Sequence, residues 1–166
     1  MNSQKTLRVG MLGCGVVGGE VARLIVANQK DLTARSGAQL DLLKIGVRNL
    51  ARPNVAKDLL TTDLESIVKD KSIDLIIEVI GGIEPARTLI LEAFANGKSV
   101  VTANKALLAK HGAELFAAAD KNGVDLYYEA AVAGAIPILR PLRESLVGDH
   151  IHRVMGIVNG TTNYIL

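Results

Sequence analysis

The sequence predicts an α/β protein built on a doubly wound, mostly parallel sheet. Short, almost wholly apolar segments of strand length alternate with helix-patterned segments of about a dozen residues. Two of those helices stop at an Asn-Gly pair, Asn96-Gly97 and Asn122-Gly123, with the next apolar segment following directly. Strands that are apolar along most of their length need cover on both faces, which is the condition of a parallel sheet between helices.

Leu7 to Leu12 is an apolar run ended by glycine, and Val16 to Asn28 places Val17, Val21, Leu24 and Ile25 at helical spacing. The first unit is therefore strand, tight turn, helix. Leu40 to Val47 is the second strand, Ile73 to Ile80 the third, Ser99 to Thr102 the fourth, Val124 to Glu129 the fifth and Ile151 to Val158 the sixth. Pro85 stands at a first helical position, where its missing N–H costs nothing, and a further helix covers about Ala106 to Lys121. The recurrence of helix, Asn-Gly and strand repeats in structure without repeating in sequence.

Composition excludes several classes. A chain of 166 residues, 49% hydrophobic, suffices for one domain with a substantial core. Nineteen Lys and Arg against seventeen Asp and Glu give a charge of +2 without charge blocks, and aromatic residues make up 3%, a poor basis for nucleic-acid binding. The lone Cys14 cannot form an internal disulfide, which places the protein in a reducing compartment, the cytoplasm. Lys5 and Arg8 ahead of an apolar stretch resemble a secretory signal, but Gly10, Gly13 and Gly15 break the stretch and no Ala-x-Ala follows. No run reaches the roughly 18 apolar residues of a membrane span.

Gly13, Gly15 and Gly18 form G-x-G-x-x-G between the first strand and the first helix, the context that a dinucleotide-binding fingerprint requires. Gly13 makes the turn, Gly15 admits a pyrophosphate to the backbone, and Gly18 lets helix and strand pack closely. The free N–H groups of the helix's first turn then meet the phosphates. A plain tight turn is the alternative. The fold is then a Rossmann-type nucleotide-binding domain, and Cys14 is a small apolar filler with no base beside it.

The end of the second strand selects the nucleotide. An acidic residue there takes the ribose hydroxyls of NAD, whereas a basic one accommodates the 2′-phosphate of NADP. This strand runs into Arg48, followed by Asn49 and Arg52, with Lys57 further on, while Asp41 lies at the wrong end. NADP is the expected cofactor, with NAD the alternative. Arg48 is the principal phosphate contact and Lys57 a weaker candidate; Arg52 is an ordinary solvated charge.

Further polar clusters follow the later strands: "GGIEP" with Gly81 and Gly82, "TANKALLA" with Thr102, Asn104 and Lys105, Glu129 before "AAVAGAIP", and "NGTTN" from Asn159. Ligands of open α/β sheets bind outside the carboxyl ends of the strands, where these clusters gather. Gly81 and Gly82 would let the chain pass close to a nicotinamide ribose.

"GCGVVG", "TANKALLA", "YEAAVAGAIPI" and "GIVNGTTNYIL" together resemble homoserine dehydrogenase from about Leu7 onward, the last two motifs being the more specific. The resemblance implies reduction of aspartate 4-semialdehyde to homoserine with NADPH or NADH, on the route to threonine, methionine and isoleucine. It implies that Gly13 to Gly18, with Val16 and Val17, hold the pyrophosphate and Arg48 the 2′-phosphate, and that Thr102 and Lys105 line the nicotinamide and substrate side. Glu129 and the carbonyls of Val132, Gly134 and Ile136 match a sodium-type cation site, and Gly160 and Thr161 a segment beside the nicotinamide. The family more often has Gly-Gly where this chain has Gly134-Ala135, and a methyl there narrows the cation loop.

The family continues beyond "NGTTNYIL" into a region that binds substrate, dimerises and carries a second lysine. Residues 1–158 are thus expected to form the dinucleotide-binding domain and 159–166 the start of the substrate region, so this segment alone is expected to be inactive and the complete enzyme a homo-oligomer. Lys105 is the lysine placed to polarise the substrate carbonyl as hydride arrives. A cation at a helix N-terminus is unfavourable unless it has a task.

Other residues have plainer readings. His150 and His152 share a strand face without a third ligand, and His111 is exposed. One of Tyr127 and Tyr128 is core, because neighbours on a strand face opposite ways. "ILRPLRESL" is the solvated side of a helix kinked by Pro141, with Glu144 too near Arg143 for a helical ion pair. Two other functions stay open: a non-catalytic NAD(P)-sensing module, which gives Lys105 and "NGTTNY" no task, and a different dehydrogenase of amino-acid metabolism, whose acyl chemistry would need a cysteine outside the fingerprint turn.

Overall fold

The computed structural model describes residues 5–50, 55–134 and 136–156. Among them, six parallel strands form one sheet in the order β3-β2-β1-β4-β5-β6. The strands are β1 (Lys5–Leu12), β2 (Ala38–Gly46), β3 (Leu60–Thr61), β4 (Leu75–Glu78), β5 (Ser99–Thr102) and β6 (Leu126–Tyr127). The helices are α1 (Val16–Ala27), α2 (Gln29–Ser36), α3 (Leu64–Lys69), α4 (Ala86–Ala95) and α5 (Lys105–Asn122). The order reverses between β1 and β4, so the loops leaving these two strands diverge and open a crevice at their carboxyl ends.

The doubly wound parallel sheet is as expected. Its cover differs on the two faces. One face packs Ile67 and Val68 of α3, Leu89, Ile90 and Phe94 of α4, and Leu107 and Leu115 of α5 against Leu12, Ile76 and Val100. The other packs Ala22 and Ile25 of α1 against Val9, Met11, Leu42 and Ile45. Each Val, Leu, Ile, Met or Phe side chain among them contributes about 1.5–3 kcal/mol when fully buried. Towards β6 this second face opens, Val101 being half-buried and Tyr127 51% exposed.

β5 spans the expected residues, and Gly123 closes α5 in the left-handed region (φ 63°), as the Asn-Gly pair implies. The third and fifth predicted strands shrink to β4 and β6, although the N–H groups of Asp74 and Val79, just outside β4, still bond to the carbonyls of Arg8 (2.8 Å) and Leu12 (2.9 Å). Residues 151–156, the described part of the sixth predicted strand, form no strand and are exposed; residues 157 and 158 lie outside the described set. Pro85 sits just before α4 rather than inside it, joined to Glu84 by a cis peptide bond. Pro141 opens a π-helical turn (Pro141–Ser145) instead of kinking a longer helix, and Glu144 pairs with Arg140 at 2.9 Å, one helical turn away. Tyr128 packs on Phe116 with ring centroids 5.1 Å apart and is the core member of its pair. His111 is half-buried, not exposed, with Nδ1 3.3 Å from Glu114.

The amino edge of the sheet is tied by charge. Arg8 donates from its backbone N–H (2.9 Å), Nε (2.9 Å) and Nη2 (2.7 Å) to Asp74, and Lys44 pairs with Asp70 at 2.9 Å. The buried Lys98 ammonium donates to the carbonyls of Asp70 (2.7 Å) and Ile73 (2.9 Å), which desolvation accompanies with a lowered pKa. Hydrogen bonds from Arg8 hold the Asp74 carboxyl below its ordinary range, and those from Ser72 and Lys44 hold Asp70 lower still.

Because both carboxyls are depressed by folding, their contribution is present above the unfolded value near about pH 4 and is lost as pH falls through the folded values. Thermal midpoints should therefore drop as pH falls below about 4. Asp74→Asn should flatten that decline; an unchanged pH profile would remove the Arg8–Asp74 pair from the acid response.

Candidate nucleotide-binding site

The crevice at the switch point is a cleft of ≈ 350 Å³ lined by Gly13, Cys14, Gly15, Gly46, Val47, Arg48, Leu64, Val79, Ile80 and Pro85. It gathers the carboxyl ends of β1, β2 and β4. Arg48 is the one charged residue of that lining.

The three fingerprint glycines occupy three different environments. Gly13 has φ 103°, and a Cβ there would lie 2.7 Å from the Val79 carbonyl oxygen. A Cβ on Gly18 would overlap the Gly13 carbonyl oxygen, so turn, helix and β4 close on one another without side chains. Gly15, the N-cap of α1, faces open space: no heavy atom lies within 4 Å of an added Cβ. Room for a ligand is on this side of the turn.

α1 begins with no side-chain cap and no acidic residue in its first turn. Its first hydrogen bond within the helix is from Gly19 N–H to the Gly15 carbonyl, at 2.8 Å, so the preceding amides face outward. Val16 (94% exposed) and Val17 (56% exposed) stand beside them. Unsatisfied amides, the positive helix end and Arg48 make a cradle for a phosphorylated anion.

The remaining candidates divide. Lys57, in a single 3-10 turn (Lys57–Leu59), is exposed and outside the cleft lining. Gly81 (φ 79°) and Gly82 (φ 75°) form the left-handed turn after β4. Lys105, the first residue of α5, is exposed, and its ammonium has no ion pair among the described residues. Gly160 and Thr161 lie outside the described residues.

Thr102 is fully buried, its hydroxyl donating to Glu78 Oε2 at 2.5 Å. Glu78, also fully buried, ends the otherwise apolar β4. Its Oε1 accepts from the N–H groups of Ile80 (2.8 Å) and Gly81 (3.3 Å). Asn104 caps α5 by accepting from Leu107 N–H (3.2 Å), and its Nδ2 donates to the Gly82 carbonyl (2.6 Å). The signal for Glu78 is present: a carboxylate inside the apolar run of "LIIEVI", three residues before Gly-Gly, has no apolar reason to be there.

Glu129 opens a 3-10 turn (Glu129–Ala131), and its carboxylate accepts from the N–H groups of Leu139 (3.0 Å) and Arg140 (2.9 Å). Ala133 (φ 55°) and Gly134 (φ 62°) curl the loop that follows, and Ile136 is 61% exposed. Val132 closes the turn with its N–H on the Glu129 carbonyl at 3.1 Å. Ala135 lies outside the described residues, and among those described no three His, Cys, Asp or Glu converge on one point.

The glycine geometry separates packing from binding. Gly18→Ala should destabilise the domain by about 1–3 kcal/mol through overlap with the Gly13 carbonyl. Gly15→Ala should leave stability within about 0.5 kcal/mol while weakening nucleotide binding. Denaturant melts and nucleotide titrations of the two variants measure this, and a reversed pattern would reverse the two assignments.

Comparison with known proteins places this geometry. The profile described as "Homoserine dehydrogenase, NAD binding domain" matches residues 13–129, and that described as "Homoserine dehydrogenase" matches residues 137–166. A homoserine dehydrogenase of Mycobacterium tuberculosis is 55% identical over 164 residues, covering 98% of this chain and 37% of that protein. One of Corynebacterium glutamicum is 52% identical over 160 residues, covering 95% of this chain and 36% of that protein. The crystal structure of a homoserine dehydrogenase from Thiobacillus denitrificans superposes with a TM-score of 0.89 at 47% identity, over 97% of this chain and 38% of that one. The chain thus spans little more than a third of the length of its relatives. Profile, sequence identity and superposition agree: the chain belongs to the homoserine dehydrogenase family, whose NAD-binding domain it carries.

Proposed function

We propose that this chain is the nucleotide-binding part of an enzyme that interconverts aspartate 4-semialdehyde and homoserine, with NADP as the preferred cofactor. The observation that carries this reading is the cleft at the switch point, where uncapped α1 amides and the single cation Arg48 face open space beside Gly15. The amides of the Gly13–Gly18 turn bind the pyrophosphate, and Arg48, at the end of β2, takes the 2′-phosphate, for which its planar fork is suited. Lys57 remains a second cation for that phosphate if its long side chain swings in.

The adenine half lies towards β2, so the nicotinamide half extends over β4 and β5, past Gly81 and Thr102 to Lys105. A bound reduced nicotinamide supplies the hydride. Lys105 donates a hydrogen bond to the aldehyde oxygen as negative charge develops there. Residues 159–166, with Gly160 and Thr161 beside the nicotinamide, begin the substrate region. In this reading the complete enzyme is a homo-oligomer of the cytoplasm. Among the described residues no helix is long and apolar enough to cross a membrane.

The Glu129–Ile136 loop supports a sodium-type cation. Its donors are oxygen atoms alone, one carboxylate and the carbonyls of Val132, Gly134 and Ile136, which suits a hard cation. Each Glu129 oxygen keeps a lone pair beyond the amide it accepts.

Parallel fluorescence titrations with NADPH and NADH test the cofactor assignment. Arg48→Ala should weaken NADPH binding about tenfold or more and NADH binding less than about threefold. Equal losses would refute the 2′-phosphate contact. In the complete enzyme, Glu129→Gln should abolish sodium dependence; rates that still respond to sodium would remove Glu129 from a cation site.

A further inference from the structure

Glu78 is a buried carboxylate at the functional edge of the sheet to which the reaction as proposed gives no part. Its two oxygens join elements that are separate in sequence. Oε1 holds the Ile80 and Gly81 amides, and Oε2 holds the Thr102 hydroxyl. The Thr102 oxygen accepts in turn from Asn104 N–H at 3.0 Å, and Asn104 Nδ2 reaches back to the Gly82 carbonyl at 2.6 Å. The hydrogen bonds close a ring: β4 end, Gly81–Gly82 turn, Asn104, β5 end, and back to Glu78.

Every member of the ring is strapped to the two segments that flank the nicotinamide half of the crevice. Among the described residues no cation pairs with this carboxylate, and a buried carboxylate satisfied by amides and a hydroxyl is a costly way to fill a core position. Its return is orientation, since five directional bonds fix the Gly81–Gly82 turn against the first turn of α5, whose first residue is Lys105. Misplacing a reacting group by about 1 Å can cost about 100-fold in rate.

We infer that Glu78, acting through Thr102 and Asn104, is a positioning residue that sets the nicotinamide-side wall of the cleft and the position of Lys105. This rests on the nucleotide reading above. The adenine side of the cleft, around Arg48, lies across β1 from this ring, which meets the cleft lining at Ile80.

Two substitutions separate positioning from packing. Glu78→Gln keeps an acceptor for the amides but turns a donor towards the Thr102 hydroxyl. Asn104→Asp keeps the helix cap, because aspartate is an equally good N-cap, but removes the donor to Gly82. For each variant of this chain, dissociation constants are measured for NADPH and for adenosine 2′,5′-bisphosphate, which lacks the nicotinamide half; NADH and ADP form the pair if the wild type binds NADH instead.

The expected result is NADPH binding weakened about fivefold or more with the bisphosphate unchanged within about twofold. In the complete enzyme, kcat should fall about tenfold or more while KM for the aldehyde moves less than about threefold. Parallel weakening of both ligands, or of neither, overturns the inference, and so does an unchanged kcat. If Glu78→Gln fails to fold, Asn104→Asp carries the same comparison. A wild-type chain that binds neither ligand overturns the nucleotide reading along with this one; wild-type binding with unaffected variants overturns this one alone.

Discussion

The structure depends on one close approach: the β1–α1 turn lies against the backbone of the residue after β4, with Gly13 touching the Val79 carbonyl and Gly18 touching the Gly13 carbonyl. Any Cβ at these positions pushes helix and strand apart. Their absence places the α1 N-terminus at the mouth of the crevice rather than above it. The positive end of the helix, the branching of loops between β1 and β4, and the end of β2 with Arg48 therefore share one small volume.

The two edges of the sheet divide the work. At the amino edge, Arg8, Lys44 and Lys98 meet Asp74, Asp70 and backbone carbonyls, so the charges there are spent on one another. The carboxyl edge is the opposite. α1 starts uncapped, Lys105 has no ion pair among the described residues, and Arg48 stands exposed in an otherwise uncharged cleft. Groups left unsatisfied at one edge are tolerable because the other edge and the two apolar layers supply the stability.

What could be read from sequence follows from what writes a pattern. β5 was legible to the residue because its β-branched Val100, Val101 and Thr102 are bounded by Asn96-Gly97 and Asn104. α2 was not, because none of its residues is buried and it carries no apolar stripe. β3 has two residues and α3 six, too few for a period to register, although Asp63 caps α3 by accepting from Ser66 N–H at 3.0 Å. The sixth predicted strand failed for the opposite reason: "IHRVMG" has strand-like content but is exposed throughout. In the site, the glycines were legible because their spacing is fixed by three local needs, a positive φ at Gly13, open space at Gly15 and a close approach at Gly18. Glu78 was not, because its partners are backbone amides and a threonine brought near only by the pairing of β4 with β5.

The start of α5 sets charge against helix stability. A lysine at the first position of a helix meets the positive end of the dipole, which costs about 0.3–1 kcal/mol. The helix offsets this with an Asn104 cap, a left-handed Gly123 stop and the buried Leu107, Leu115 and Ala119. A residue such as glutamate at position 105 would have served the helix better. Keeping a cation there adds its field to that of the α5 amides at the same edge where α1 and Arg48 already present positive potential. The edge is thereby biased, over its length from β2 to β5, towards an elongated anion and towards negative charge that grows beside its β5 end.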